Sequence, residues 1–207
     1  MRVIAVIGDI VDSRAISKRE VFQSRLIREL ARTNATGHPA AHFSLSSGDE
    51  VEAVYIGASF LFEDLLEISA ATYPHRIRFS IALGRITTAI HRDNPLVMDG
   101  PAFHIARGAI NELKKSKGLI CVTAESPIDV SLENHAARFL VQHVVQWKKK
   151  RWDLYRQVVR GATPAKASEA LKLSLSATYK NISAGAFDLV QGLARDLGKS
   201  LSSKIGA

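Results

Sequence analysis

The chain has 207 residues and a mass of 22.6 kDa, room for one large domain or two small ones. Apolar residues make up 46% and charged residues 23%, which excludes disorder as the main state; no apolar run nears the ~18 residues of a membrane span. The single cysteine, Cys121, excludes an internal disulfide and two-cysteine zinc motifs, and the net charge of +8 falls entirely in residues 146–207.

The opening MRVIAVIGDIVDSR carries Asp9 and Asp12 directly after a short apolar run. It reads as a buried strand over 2–8 rather than a signal peptide, so a cytoplasmic protein with no membrane partner is expected. Ser17 and Glu20 fit a capping box that would start a helix fading near 34–37. Residues 42–46 and 51–56 flank SSGDE as a hairpin. Residues 58–72 form an apolar helix, and 76–83 alternate as a half-buried strand. Residues 87–90 would continue that strand after a bend at Gly84. Pro101 opens a helix to about 115, and 118–123 make a further strand. From about 130 to Gly161 the pattern is helical, through Leu140, Val144, Trp147, Leu154 and Val158.

This order, β-α-β-β-α-β-(β)-α-β, predicts the α+β class: a split β-α-β sandwich with helices on one face of a mixed sheet, followed by an all-α segment. The expected divisions are 1–128, a connecting helical stretch 129–160, and a basic C-terminal part 161–207. A neutral module joined to a basic one points to a polyanionic partner; a solvated basic surface is the plainer alternative.

Asp9 ends the first strand and Asp49 sits in the hairpin turn beside Gly48. With the backbone carbonyl of Ile10 they would make a hard-oxygen site for Mg²⁺ or Mn²⁺, completed by phosphate oxygens. Ser13 and Arg14 could hold that phosphate, and Gly48 permits the close backbone. The structural alternative is a cap at Asp9 and an ordinary turn residue at Asp49. Among seven histidines, His104 is the candidate acid–base group.

Thr163 and Pro164 mark a helix start. A short helix over 165–171, a turn at 172–174 and a second helix from about 175 have the dimensions of a helix-turn-helix. Its second helix would enter the major groove of double-stranded DNA. Ser176, Thr178, Tyr179 and Lys180 would face the DNA there, with phosphate contacts from Lys148, Lys149, Lys150, Arg151 and Lys166. One such unit binds weakly, so a homodimer is expected. The alternative is a helical hairpin that packs on the first domain or pairs two subunits. Residues 187–197 add an amphipathic stretch.

VIGDIVDSR, SSGDE, RIRFSIALGRITT and DGPAFHIARGAI resemble successive blocks of the SatD family, a bacterial family of poorly defined function. The resemblance runs over most of 1–160. The first three blocks are also similar, at fold level, to the class III nucleotidyl cyclase domain. That resemblance implies a ferredoxin-like, nucleotidyl-cyclase-like fold and metal roles for Asp9 and Asp49. It also implies a transition-state role for Arg107. The cyclase base-reading Lys corresponds to Leu45 and its Asn to Phe103, so an ordinary cyclase is not expected. ASEALKLSLSATYKNI resembles bacterial helix-turn-helix segments, with Lys172 where many have Gly. The leading expectation is a DNA-binding regulator whose N-terminal domain senses a nucleotide or other small phosphate ligand. The alternatives are a metal-dependent nucleotide-processing enzyme and a non-catalytic dimerisation scaffold.

Overall fold

A computed structural model describes residues 1–46 and 49–206. Among them, five strands alternate with helices: β1 (Arg2–Ile10), α1 (Arg19–Ala35), β2 (Ala41–Ser46), β3 (Glu50–Tyr55), α2 (Leu61–Thr72), β4 (Ile77–Arg85), α3 (Pro101–Ser116) and β5 (Ile120–Ala124). Five further helices follow: α4 (Ser131–Val144), α5 (Lys149–Val159), α6 (Pro164–Leu171), α7 (Leu175–Gly185) and α8 (Phe187–Ile205). No helix among the described residues is long and apolar enough to cross a membrane.

The strands form one sheet in the order β2-β3-β1-β4-β5. The first four are antiparallel to their neighbours, and β5 runs parallel to β4. The hairpin strand β3 is inserted between β1 and β2, so the β-α-β unit is split, as its residue pattern predicts. β1 is buried along nearly its whole length because it lies mid-sheet with helices on both faces.

Alternation assigns the faces. Ile4, Val6 and Ile10 of β1 join the larger core with α1, α2, α4 and α8, whereas Val3, Ala5 and Ile7 face α3 through Ala102, Phe103, Ala106 and Ile110. Helices therefore cover both faces, not one. Gly84 is no bend. It stays within β4, where a Cβ would sit 3.1 Å from the Ala102 backbone, and so lets α3 approach. Residues 87–90 are not strand.

Two helix starts differ from the pattern. α1 begins at Arg19 with Lys18 at its N-cap and no side-chain cap, so the Ser17–Glu20 box does not form. The helix expected from 130 to 161 breaks at Val145–Lys148. There Trp147 turns inward against Trp152, Tyr155 and Phe187, with ring centroids 4.9–5.2 Å apart. A regular heptad step concealed this interruption because an aromatic at a core position scores the same in a helix or a turn.

The C-terminal part returns to the sheet. Phe187, Val190, Ala194, Leu197 and Leu201 of α8 belong to the same core as Ile4 and Phe79. Ser202 Oγ accepts from the Ala58 amide at 2.7 Å. Gly198 lies so close that a Cβ would run into the Ala58 carbonyl. Ion pairs latch the same surface: Arg156 to Glu29 at 2.6 Å and Glu67 at 2.9 Å, Arg195 to Glu63 at 2.8 Å, and Lys204 to Glu133 at 2.9 Å. Part of the basic excess of residues 146–207 thus neutralises acids of residues 1–145.

In the first turn of α2, the buried Asp64 carboxylate accepts from Tyr55 Oη at 2.8 Å and lies 3.0 Å from His38 Nδ1. Burial outweighs these partners and raises the Asp64 carboxyl to about 6. A raised carboxyl favours the fold when protonated. The contribution is complete below about pH 4 and is lost as pH rises to about 6, a change of about 3 kcal/mol. Asp64→Asn should remove this decline. Urea unfolding at pH 4.5 and 7.5 checks it: the variant should gain on the wild type as pH rises, and a constant difference would refute the assignment.

Candidate functional site

The far end of the α3 face carries charge where its near end is apolar. Val3, Ala5, Ile7 and Asp9 alternate along β1, so Asp9 continues an apolar row and is itself buried. Register places Glu50 of β3 and Arg78 of β4 directly beside it, and Glu52 beside Ile7. From α3, Arg107 and Lys114 reach down, seven residues apart on one helix face. The six groups form a chain of alternating sign. Arg78 Nε lies 3.1 Å from Asp9 Oδ2, an ion pair without hydrogen-bond alignment. Lys114 Nζ lies 2.8 Å from Asp9 Oδ1 and 3.1 Å from Glu50 Oε1. Arg107 donates to Glu50 Oε2 at 2.6 Å and also to Glu52 Oε1.

The three acids and three bases balance. Burial raises the Glu52 carboxyl even against Arg107, while burial lowers Arg107 but Glu52 and Glu50 outweigh it and hold its guanidinium above the usual range. Lys114 behaves likewise: burial lowers it, and Asp9 and Glu50 raise it further.

The backbones of Asp9 and Asp49 are neighbours, since the Ile10 amide donates to the Asp49 carbonyl at 3.0 Å. Their carboxylates have different partners. Asp49 Oδ2 accepts from Ser13 Oγ at 2.9 Å, while Asp9 is held by Arg78 and Lys114. The Ile10 side chain is buried in the larger core. A divalent ion would have to displace two cations from Asp9, so this donor set does not fit Mg²⁺ or Mn²⁺ as arranged. Among the described residues no cluster of three His, Cys, Asp or Glu is gathered for a metal. Ser13 and the exposed Arg14 form a 3₁₀ turn after β1. Gly48 lies outside the described residues.

His104 is exposed and 3.2 Å from Asp99 Oδ1, one turn before Arg107. Phe103 is buried beneath α3 and Leu45 packs on the larger core. Sequence reasoning missed Arg78, Lys114 and Glu52. The seven-residue step from Arg107 to Lys114 was the available signal; the cross-strand register of Arg78 was not.

In the C-terminal part, α6 and α7 meet at a three-residue turn. Thr163 Oγ accepts from the Lys166 amide and Ser174 Oγ from the Ala177 amide, so both helices start as predicted. Lys172 sits in the left-handed region at φ 52°, which costs a non-glycine residue about 1–2 kcal/mol. Ser176, Tyr179 and Lys180 are exposed on α7. Thr178, expected among them, is wholly buried: it lies on the opposite side of α7 from Ser176 and Lys180, the side turned inward. Arg151 Nε donates to Asn181 Oδ1 at 3.4 Å, which brings the Lys148–Arg151 run beside α7. Lys148, Lys150, Lys166 and Lys180 are exposed with no acidic partner among the described residues, whereas Lys149 pairs with Asp153 at 2.8 Å.

No curated protein matches the chain. The family model described as the SatD family matches residues 3–146, from the start of β1 through the end of α4. That stretch holds the whole sheet and the charged cluster over it, and by this match the chain belongs to the SatD family.

Proposed function

We propose that this protein is a DNA-binding regulator that meets duplex DNA through α7, as a homodimer, with the sheet domain as its ligand-sensing body. The observation that carries this reading is the α6–turn–α7 pair. Its second helix leaves Ser176, Tyr179 and Lys180 uncovered, and the Arg151–Asn181 bond sets the unneutralised Lys148 and Lys150 beside it. Uncompensated lysines beside an exposed helix suit phosphate contacts that position a helix in the major groove. The split β-α-β order supports a cyclase-like ancestry for the sheet domain. Its charged cluster, neutral in sum, favours a structural or binding role over catalysis.

Fluorescence anisotropy of a labelled duplex with the full chain tests this. Binding should weaken steeply with salt, with log K falling by about 0.9 per log unit of salt for each phosphate contact. Lys180→Ala and Lys150→Ala should each lower that slope by about one contact. Absence of binding at low salt, or slopes unchanged in both variants, would sink the proposal.

A further inference from the structure

A cavity of about 420 Å³ opens between α2, β4, α4 and α5. Its volume is within the usual range for small-molecule sites, about 300–1,000 Å³. Its wall is apolar: Leu66, Phe79, Leu140, Val144 and both tryptophans of the chain, Trp147 and Trp152, line it. Well-packed interiors do not leave such a space between aliphatic and aromatic walls without consequence.

Its charged lining residues have one sign: Arg76 and Lys148 line it, beside the uncharged polar Ser69, Tyr73 and Gln146, and no Asp or Glu does. Arg76 and Lys148 are exposed, so the cavity reaches solvent beside them, and neither side chain has an anionic partner among the described residues. Lys148 is also the N-cap of α5, where its carbonyl accepts from the Arg151 amide at 2.9 Å and the Trp152 amide at 3.2 Å. Trp147 is buried, and its Nε1–H has no acceptor among the described residues.

We propose that this cavity binds a small amphipathic organic anion, its apolar body between Trp147, Trp152 and Phe79 and its charged head at Arg76 and Lys148. A guanidinium and an ammonium at the mouth of an apolar cavity suit a carboxylate or phosphate head. This inference does not depend on DNA binding.

Because both tryptophans line the cavity, intrinsic fluorescence reports directly on its contents, with titration calorimetry as a second readout. The probes are decanoate, below its micellar concentration, and decan-1-ol, the same chain without the charge. Decanoate should bind saturably and at least tenfold more tightly than decan-1-ol. Arg76→Gln/Lys148→Gln, both surface changes, should lower decanoate affinity at least tenfold and leave decan-1-ol unchanged. Val141→Phe, on the cavity wall, should abolish both; if circular dichroism shows that it does not fold, the charge variant decides alone. The proposal fails if decanoate does not bind saturably, if the two probes bind equally, if the charge variant keeps its decanoate affinity, or if folded Val141→Phe retains binding.

Discussion

Removal of residues 187–206 should abolish cooperative unfolding of the whole protein, not merely of its C-terminal part. α8 is the last helix in sequence, yet it lies against α2 and α4 and touches β1 and β4. Phe187, Val190, Leu197 and Leu201 are each at most 4% exposed. At about 1.5–3 kcal/mol for each such side chain, these four contribute about 6–12 kcal/mol. A domain's entire stability is about 5–15 kcal/mol. The deletion also strands Glu63 and Glu133 without Arg195 and Lys204, and leaves the Ala58 amide without Ser202. Near-UV circular dichroism and thermal unfolding check this. The shortened chain should lose its near-UV signal and its sharp transition. A retained sharp transition would mean that the sheet and α1–α4 form a self-sufficient unit. The same reasoning makes a fragment ending near residue 145 a poor control for DNA binding, and point variants of the full chain the better one.

Arg107→Ala should destabilise the fold strongly at pH 8 and weakly at pH 5. Glu52 is almost completely buried, and Arg107 is its cation. Removing one partner of a fully buried pair costs about 3–5 kcal/mol; here Arg107 is half exposed, so water offsets part and about 2–3 kcal/mol is expected. Burial already raises the Glu52 carboxyl above its ordinary value, and Arg107 is the main group opposing that rise. Without Arg107 the carboxyl rises further. A raised carboxyl gives stability that is present below its unfolded value, near 4.5, and lost as pH climbs through the folded one. The difference between variant and wild type must therefore grow with pH. Arg107→Ala/Glu52→Gln should recover most of the loss at pH 8, because no uncompensated charge stays buried. Urea unfolding of the three proteins at pH 5 and 8 measures this. A loss equal at both pH values, or no recovery in the double variant, would show that Arg107 acts by packing alone. Loss of DNA affinity in Arg107→Ala at pH 5, where the fold is retained, would instead give the cluster a role in binding.

Local chemistry determined much of what this chain is. Continuous burial of β1 and Pro101 at the start of α3 were legible because strand patterns and fixed φ act within a few residues. The same holds for the start of α6 at Thr163–Pro164 and the turn at 172–174, where side-chain caps are local bonds. β4, expected half-buried from its alternation, is instead buried from Phe79 to Gly84, because α3 covers its second face. Asp9 was marked as a candidate by its place at the end of an apolar strand, and Arg107 by the resemblance of its block to the cyclase domain. Their partners were not, because Arg78 reaches Asp9 only through cross-strand register, and Glu52 reaches Arg107 across two layers. Register, layer order and the return of α8 to the sheet are decided by which apolar faces find one another over 100 residues or more, and no window of sequence contains that information. The same long-range packing places Trp147 at a break between two helices and opens the cavity beside it, while Arg76 and Lys148, 72 positions apart in sequence, come to line one opening.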